Sequence, residues 1–530
     1  MNKKIVTLII AFPAMFLFFI FKVIPAITSL IISMKDYSVF KGVFGSPGVG
    51  GQNFSTLFRS PAFPVLIKNT FVLNTLSIAL TCIIASILVI CILKMPNKWC
   101  RLVSIIILAI PAFIPIVSYA GVFLKALYSD TGLFMTFGIE SKSFFTDPAY
   151  YAILYALMDS LRNVYIPVMI GVLVCDTGKN TGIYKIGLVM IGYILIKATI
   201  FMSPDIETIL ITYNPLVYER ADVFDTYLYR TGLMQGNFAL SSTVWIIKTI
   251  AQISLNIVLY FVLAKLWSKL SETEDILSDR VNRGLDSIIG IIGYVLLAIG
   301  SIAVICIIIP APGSLIDGTK MLLNNEWFIS SILNSFKYGV IGCVVYGFIT
   351  ISLAYPLTAK SRFYPFILVI VMSITNNFIG EYIITRSLHT VNTVYPLIMS
   401  SCLSVTGAFA LYFTVSSKFK DHIPNFSEYV RASILPLITI VALFFMANWG
   451  SYIYQLIYFK DRSLYGIGLF GREINLTAGG GSANDQMAFE SIKAAYIFIT
   501  SIIPISLGMI LICLNKYLPL KAFSVLIRNN

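Results

Sequence analysis

The stretch AKLWSKLSETEDILSDRVNRG, Ala264–Gly284, alternates in charge sign and interrupts a chain that is otherwise a succession of long apolar runs. About six such runs precede it and about six follow it. A bilayer-spanning helix needs about 20 mostly apolar residues, so both sides of this stretch read as bundles of membrane spans. The stretch itself reads as a solvated linker.

Composition agrees. Of 530 residues, 58% are hydrophobic and only 12% are charged, against roughly 25% charged in a soluble chain. Little sequence remains for a soluble domain, so an ATPase, kinase or large binding domain is expected on a separate chain. The net charge of +13 does not point to nucleic acid. Lys and Arg fall in short segments at alternate ends of the runs: Lys3/Lys4, Lys94/Lys98/Arg101, Lys179/Lys185, Lys265/Lys269, Lys360/Arg362, Lys418/Lys420 and Lys516/Lys521/Arg528. The positive-inside rule places these segments, and with them both termini, in the cytoplasm.

The expected spans are 5–33, 67–93, 102–127, 150–174, 186–202 and 240–264, then 286–310, 329–355, 363–379, 392–414, 433–453 and 491–514. The predicted fold is an all-α polytopic membrane protein of about 12 transmembrane helices. Its parts are a first half 1–264, a linker 265–285 and a second half 286–530. An even number of spans per half makes the two six-helix repeats parallel. One short echo supports duplication: Phe63 lies six residues before Asn69-Thr70-Phe71, and Phe328 six before Asn334-Ser335-Phe336. The apolar run after Lys3/Lys4 is too long for a signal peptide and no small-x-small site follows it, so it reads as the first span.

Long outer segments are expected at Lys35–Leu66, Ser129–Tyr150, Ser203–Phe238, Pro310–Phe328 and Gln455–Glu490. They hold most of the acids, including Asp205, Glu207, Asp222 and Asp225, and read either as docking for an external partner or as a cover over helix ends. The eight cysteines form no CxxC and read as small buried residues.

No catalytic constellation is present. His389 and His422 fall on opposite sides, no GxxxxGK[ST] occurs, and no cofactor or metal is expected. Polar groups within spans are the pathway candidates. Asn69 and Asn334 suit inter-helix hydrogen bonding or solute contact. Asp159 and Arg162 are spaced for an ion pair one turn apart. Asn376 and Asn377 could face a cavity or cap a helix. Trp449 and Tyr452 could stack on a sugar ring, or simply mark the membrane interface.

Several motifs resemble one family. Lys22-Val-Ile-Pro25, Lys35-Asp36-Tyr37, Gly51-Gln-Asn-Phe54, Asn69-Thr70, Asn214-Pro-Leu-Val-Tyr218-Glu219, Asp222-Val223, Thr226-Tyr227 and Tyr229-Arg230-Thr231-Gly232-Leu233 resemble the first permease of carbohydrate-type ABC importers, in the oligosaccharide branch. Asn334-Ser335, His422-Ile-Pro424, Ile434-Leu435-Pro436, Asn448-Trp449, Leu456-Ile457-Tyr458 and Glu490-Ser-Ile-Lys493 resemble the partner permease. The resemblance implies two fused permeases in a bacterial plasma membrane. It also implies an external solute-binding lipoprotein and a pair of cytoplasmic ATPases. The family's ATPase-docking hairpin is reduced to Val174–Lys185 in the first half. In the second, only Glu428 and Ile434-Leu435-Pro436 remain of it. Three functions follow: a fused importer permease, a permease body uncoupled from ATP that serves as receptor or scaffold, and an ion-driven carrier.

Overall fold

Proline and polar breaks shape the helices as strongly as hydrophobicity does. The computed structural model describes residues 3–95, 98–127, 146–175, 183–270, 292–293, 295, 312–359, 361, 363–419, 422–476 and 483–514. Among these residues the regular structure is helical, apart from one isolated bridge between Lys35 and Gly48.

In the first half, helix α1 (Lys3–Phe18) runs through a π-helical turn, Phe19–Val23, into α2 (Ile24–Ser33). Next come α3 (Ala62–Leu93), α4 (Lys98–Phe113), α5 (Ile116–Leu127), α6 (Pro148–Asn163), α7 (Tyr165–Cys175), α8 (Ile183–Ala198), α9 (Ile206–Thr212) and α10 (Phe238–Leu270). The second half contains α11 (Pro312–Leu323), α12 (Glu326–Ala354), α13 (Phe363–Met372), α14 (Phe378–Ser387), α15 (Val394–Cys402), α16 (Thr406–Ser416), α17 (Phe426–Trp449), α18 (Ile453–Tyr458), α19 (Ile467–Leu476) and α20 (Ala483–Leu514).

Among the described residues six helices are long and apolar enough to cross a membrane, or nine if each of three bent pairs is one span. The expected third span is one of these pairs: α4 and α5 meet at 96°. Pro115 explains the break, since it cannot donate to the helix ladder and constrains Ile114 before it. The pairs α6/α7 and α15/α16 bend by 41° and 44°. The predicted span 363–379 stops at Met372 and restarts at Phe378, where Asn377 accepts a hydrogen bond from the Gly380 amide at the helix start. The predicted spans 286–310 and the linker beyond residue 270 lie largely outside the described residues, as do 128–145 and 176–182.

The halves are interleaved. Helix α1 packs on α12, and α2 on α14, both in the second half, while α20 packs on α4 and α5 of the first. Gly450, at the end of α17, lies so close to Pro115 that a Cβ there would fall 2.5 Å from the proline Cβ. The helix break of one half and a helix end of the other thus meet directly. Side chains such as Phe12, Val344 and Leu435 are exposed, as expected where lipid tails replace water.

One expectation about the outer segments is corrected. Ser203–Phe238 is only in part a solvated cover: α9 is buried along Ile206 and Thr208–Thr212, and Phe224–Tyr227 is buried as well, while Pro215, Leu216, Glu219, Arg220 and Met234–Asn237 are exposed. Asp222 and Asp225 turn inward, whereas Glu219 is exposed. Asp222 accepts hydrogen bonds from Tyr213, Thr226 and Arg230, which leaves it little capacity for an external partner.

Candidate functional site: the polar seam between the halves

The short helix α14 gathers the polar contacts that join the two halves. It starts at Phe378 because Asn377 caps it, and it brings Asn376, Asn377 and Glu381 to face first-half helices. Glu381 Oε1 accepts from Lys22 Nζ at 2.7 Å, and its Oε2 accepts from Ser400 at 2.9 Å. The Lys22 and Glu381 side chains are 6% and 5% exposed. Asn377 Oδ1 accepts from Ser29 at 2.8 Å. Asn376 Nδ2 donates to Asp225 Oδ2 at 2.8 Å, while Asp225 Oδ1 pairs with Lys248. Lys248 and Asp225 are both fully enclosed. Around them, Trp245 donates to the Thr375 carbonyl at 3.0 Å and Asn256 donates to Ser373 at 2.8 Å.

A second cluster joins α9 to α18. The Glu207 carboxylate accepts from Ser451 Oγ (2.6 Å) and from the amides of Tyr452 (2.7 Å) and Ile453 (2.9 Å). The Tyr452 hydroxyl returns a bond to the Glu207 carbonyl at 2.7 Å. The carboxylate thus satisfies amides at the start of α18, which have no partner within their own helix.

Burial pushes the Glu207 carboxyl above its ordinary value of 4.5, with Asp205 adding to the rise and the three donors opposing it. The folded chain therefore holds this proton more tightly than the unfolded chain does. The group's contribution to stability is greatest below about pH 4.5 and declines as pH rises through the elevated value. Glu207→Gln keeps an acceptor oxygen and removes the charge. Its unfolding midpoint is expected to lose that pH slope and to equal or exceed the parent's at neutral pH. Glu207→Ala is expected to lose about 1–3 kcal/mol, because three buried donors lose their acceptor. Thermal unfolding from pH 4 to 8 checks both outcomes.

The sequence candidates fall into three groups. Asn69 and Asn334 are loop latches: Asn69 donates to the carbonyls of Glu219 and Asp222, both at 3.0 Å, and Asn334 to those of Ser463 (2.7 Å) and Tyr465 (3.1 Å). Each ties the start of a long span to the outer segment of its own half, a matching pair of contacts at matching positions. Asn376 and Asn377 lie in the seam. The third group is corrected by the structure. Asp159 and Arg162 form no ion pair among the described residues; Asp159 accepts from Ser77 and from Asn163, the latter at 2.9 Å. Arg162 instead lies over the Tyr119 ring, 5.9 Å from its centroid.

Trp449 and Tyr452 do not offer faces to a sugar in this conformation. Trp449 is 1% exposed, donates to the Thr500 carbonyl at 2.9 Å, and packs on Phe445. Tyr452 is fully buried. Glu428, read as a remnant of the docking element, has a local structural partner. It is the N3 residue of a capping box with Asn425 and lies 3.1 Å from His422. Residues 426–433 open the membrane-crossing α17, Pro436 lies inside that helix, and Ile434 and Leu435 are on its exposed side. Between α16 and α17 the described residues contain one short 3-10 turn, Ser417–Phe419, and no separate docking helix.

The seam's ionic residues were largely missed from sequence. Lys22, Lys248 and Glu381 each sit within or beside an apolar run, and an ionisable side chain in a span is itself the signal. Beside the seam, a cavity of about 30 Å³ is bordered by Ser335, Tyr338, Ser401, Asn448, Tyr454 and Gln455. It has room for a few waters, far below the roughly 300 Å³ of a small ligand pocket.

No family model matches the chain. It is 27% identical over 259 residues to the polygalacturonan/rhamnogalacturonan transport system permease protein YteP of Bacillus subtilis (strain 168), covering 44% of this chain and 80% of that protein. It is 25% identical over 269 residues to protein LplB of the same organism, covering 46% of this chain and 83% of LplB. Two solved structures are similar at 22% identity. One is the bacterial alginate ABC transporter in complex with alginate pentasaccharide-bound periplasmic protein (41% of this chain, 83% of that chain, TM-score 0.37). The other is a bacterial ABC transporter involved in the import of the acidic polysaccharide alginate (48% and 93%, TM-score 0.41). Each curated relative is matched along at least four-fifths of its length by less than half of this chain.

Proposed function

We propose that this chain, a multi-pass membrane protein homologous to permeases of carbohydrate ABC transporters, supplies both membrane halves of one importer. The observation that carries the reading is the match to a named permease along most of its length. Residues 1–264 and 286–530 would be the two halves, joined by a cytoplasmic linker at 265–285, with both termini in the cytoplasm. Solute would cross between them as the halves rock about the seam. A carbohydrate is the proposed cargo, after the polygalacturonan and rhamnogalacturonan of the relative's name. An external solute-binding lipoprotein would deliver it, lipid would surround the bundle, and a cytoplasmic ATPase pair would drive the cycle.

A second reading is favoured by the cytoplasmic face: α17 begins without a separate docking helix. A permease body uncoupled from a standard ATPase would act as receptor or scaffold for the external partner. Whole-cell uptake of labelled tri-galacturonate, with the chain deleted and then restored, tests the first reading. Uptake that follows the chain supports it. Unchanged uptake on deletion, together with capture of an external lipoprotein and no ATPase, supports the second.

A further inference from the structure

We infer that the lipid-facing groove between α12, α17 and α20 binds one phospholipid with an anionic headgroup, its acyl chains in the groove and its phosphate on Lys337. In the orientation proposed above this lipid belongs to the outer leaflet; the site itself requires only the membrane fold, not transport.

The groove follows from side-chain size. At its floor Gly347 lets α12 approach α17, where a Cβ would lie 3.3 Å from Val441 Cγ2. The small side chains of Cys343 and Ala442 leave the space above that contact unfilled. A groove of about 670 Å³ remains, walled by Val344, Phe348, Ile438, Phe445 and Leu507. No hydroxyl, amide or charged side chain lines it. Open space of this kind forfeits packing contacts on every wall, and within a bilayer hydrocarbon is what restores them. Of the six long spans, α17 is the least covered by protein: 22% of its apolar stretch is buried, against 33–56% in the others.

Length and charge identify the occupant. Phe336 and Phe348 mark the ends of the groove on α12, about 18 Å apart along the helix. One leaflet of a hydrocarbon core of about 30 Å is about 15 Å deep, so the groove has the length of an acyl chain. A partner helix about 10 Å across would occupy about 1,400 Å³ over that distance, twice the volume present. Counting about 20 residues back from Ala354, where α12 ends, puts the far edge of the core near Ser335. Lys337 therefore lies at headgroup level. It is exposed, and it shares one stripe of α12 with Val344 and Phe348, seven and eleven residues further on. Among the described residues no carboxylate lies within ion-pair distance of it. A lysine at the membrane surface, directly above an apolar groove, suits a phosphate whose chains descend into that groove.

Native mass spectrometry of the full chain released from nanodiscs of dioleoyl phosphatidylglycerol and dioleoyl phosphatidylcholine, mixed 1:1, tests the site. The chain is expected to retain one lipid, with phosphatidylglycerol favoured about fivefold, as one lysine at the surface implies. Lys337→Gln should bring the two lipids to equal retention, and Lys337→Arg should keep the preference. Val344→Trp fills the groove from a position that is 70% exposed, so the fold should survive while retention of both lipids falls. A monodisperse size-exclusion profile checks that each variant is folded. Equal retention of the two lipids by the parent overturns the inference, as does a preference unchanged in Lys337→Gln. Retention unchanged in Val344→Trp overturns it too. So does a dimer of this chain that Val344→Trp dissociates, which would make a second copy the occupant.

Discussion

A Glu381→Ala chain is expected to lose most of its folded yield, and a Lys22→Met, Glu381→Met double variant to regain it. Lys22 lies in the π-helical turn between α1 and α2, and Glu381 in the first turn of α14. Their side chains meet at 2.7 Å and are almost wholly buried. Removing one partner leaves an uncompensated charge in a low-dielectric interior, at a cost of about 3–5 kcal/mol. Replacing both with apolar side chains of similar volume removes the desolvation penalty along with the attraction, and such exchanges are often neutral or stabilising. The effect bears on how the molecule holds together, because this pair ties the first span to the opposite half. Size-exclusion profiles and thermal unfolding in detergent measure it. Single and double variants of equal stability would contradict the account.

Asp225 carries the second large effect. It accepts from Lys248 within its own half and from Asn376 across the seam. Asp225→Asn leaves the enclosed Lys248 ammonium without its counter-charge, and Lys248→Met leaves the carboxylate with only Asn376. Each is expected to lose about 3–5 kcal/mol. Asn376→Ala removes one hydrogen bond from a pair that otherwise survives, and is expected to lose about 1–3 kcal/mol. The exposed pair Arg462–Glu473, at 3.4 Å, serves as control: Arg462→Ala should change stability by less than about 1 kcal/mol. Unfolding midpoints of the four variants give the order directly. A larger loss for Asn376→Ala than for Asp225→Asn would contradict it.

Much of the bundle was legible because a membrane span is a composition signal. The predicted runs at 5–33, 67–93, 240–264 and 329–355 lie within or overlap the helices that include or follow Lys3, Ala62, Phe238 and Glu326. Breaks were less legible. A hydropathy window passes over Pro115 and over Ser373–Asn377, whereas the backbone cannot. Asn376 and Asn377 stood out as polar residues at the end of a run, but Asp225, the partner of Asn376 across the seam, is distant in sequence and lay in a stretch read as docking for an external partner or as a cover over helix ends. That stretch folds inward because its acids find Arg230, Lys248 and the amides of α18, pairings that depend on the second half as much as the first. Trp449 and Tyr452 were legible as aromatics near an interface, but not as buried hydrogen-bond donors. Sequence order does not show which faces the interleaved helices cover.

The most direct test of the central claim, that one chain supplies both halves of the permease, is native mass spectrometry of the complex captured from its own membrane on a tagged full-length chain. The account predicts one copy of this chain and no other permease subunit alongside its external and cytoplasmic partners. Two copies, or one copy paired with a separate permease, would contradict it.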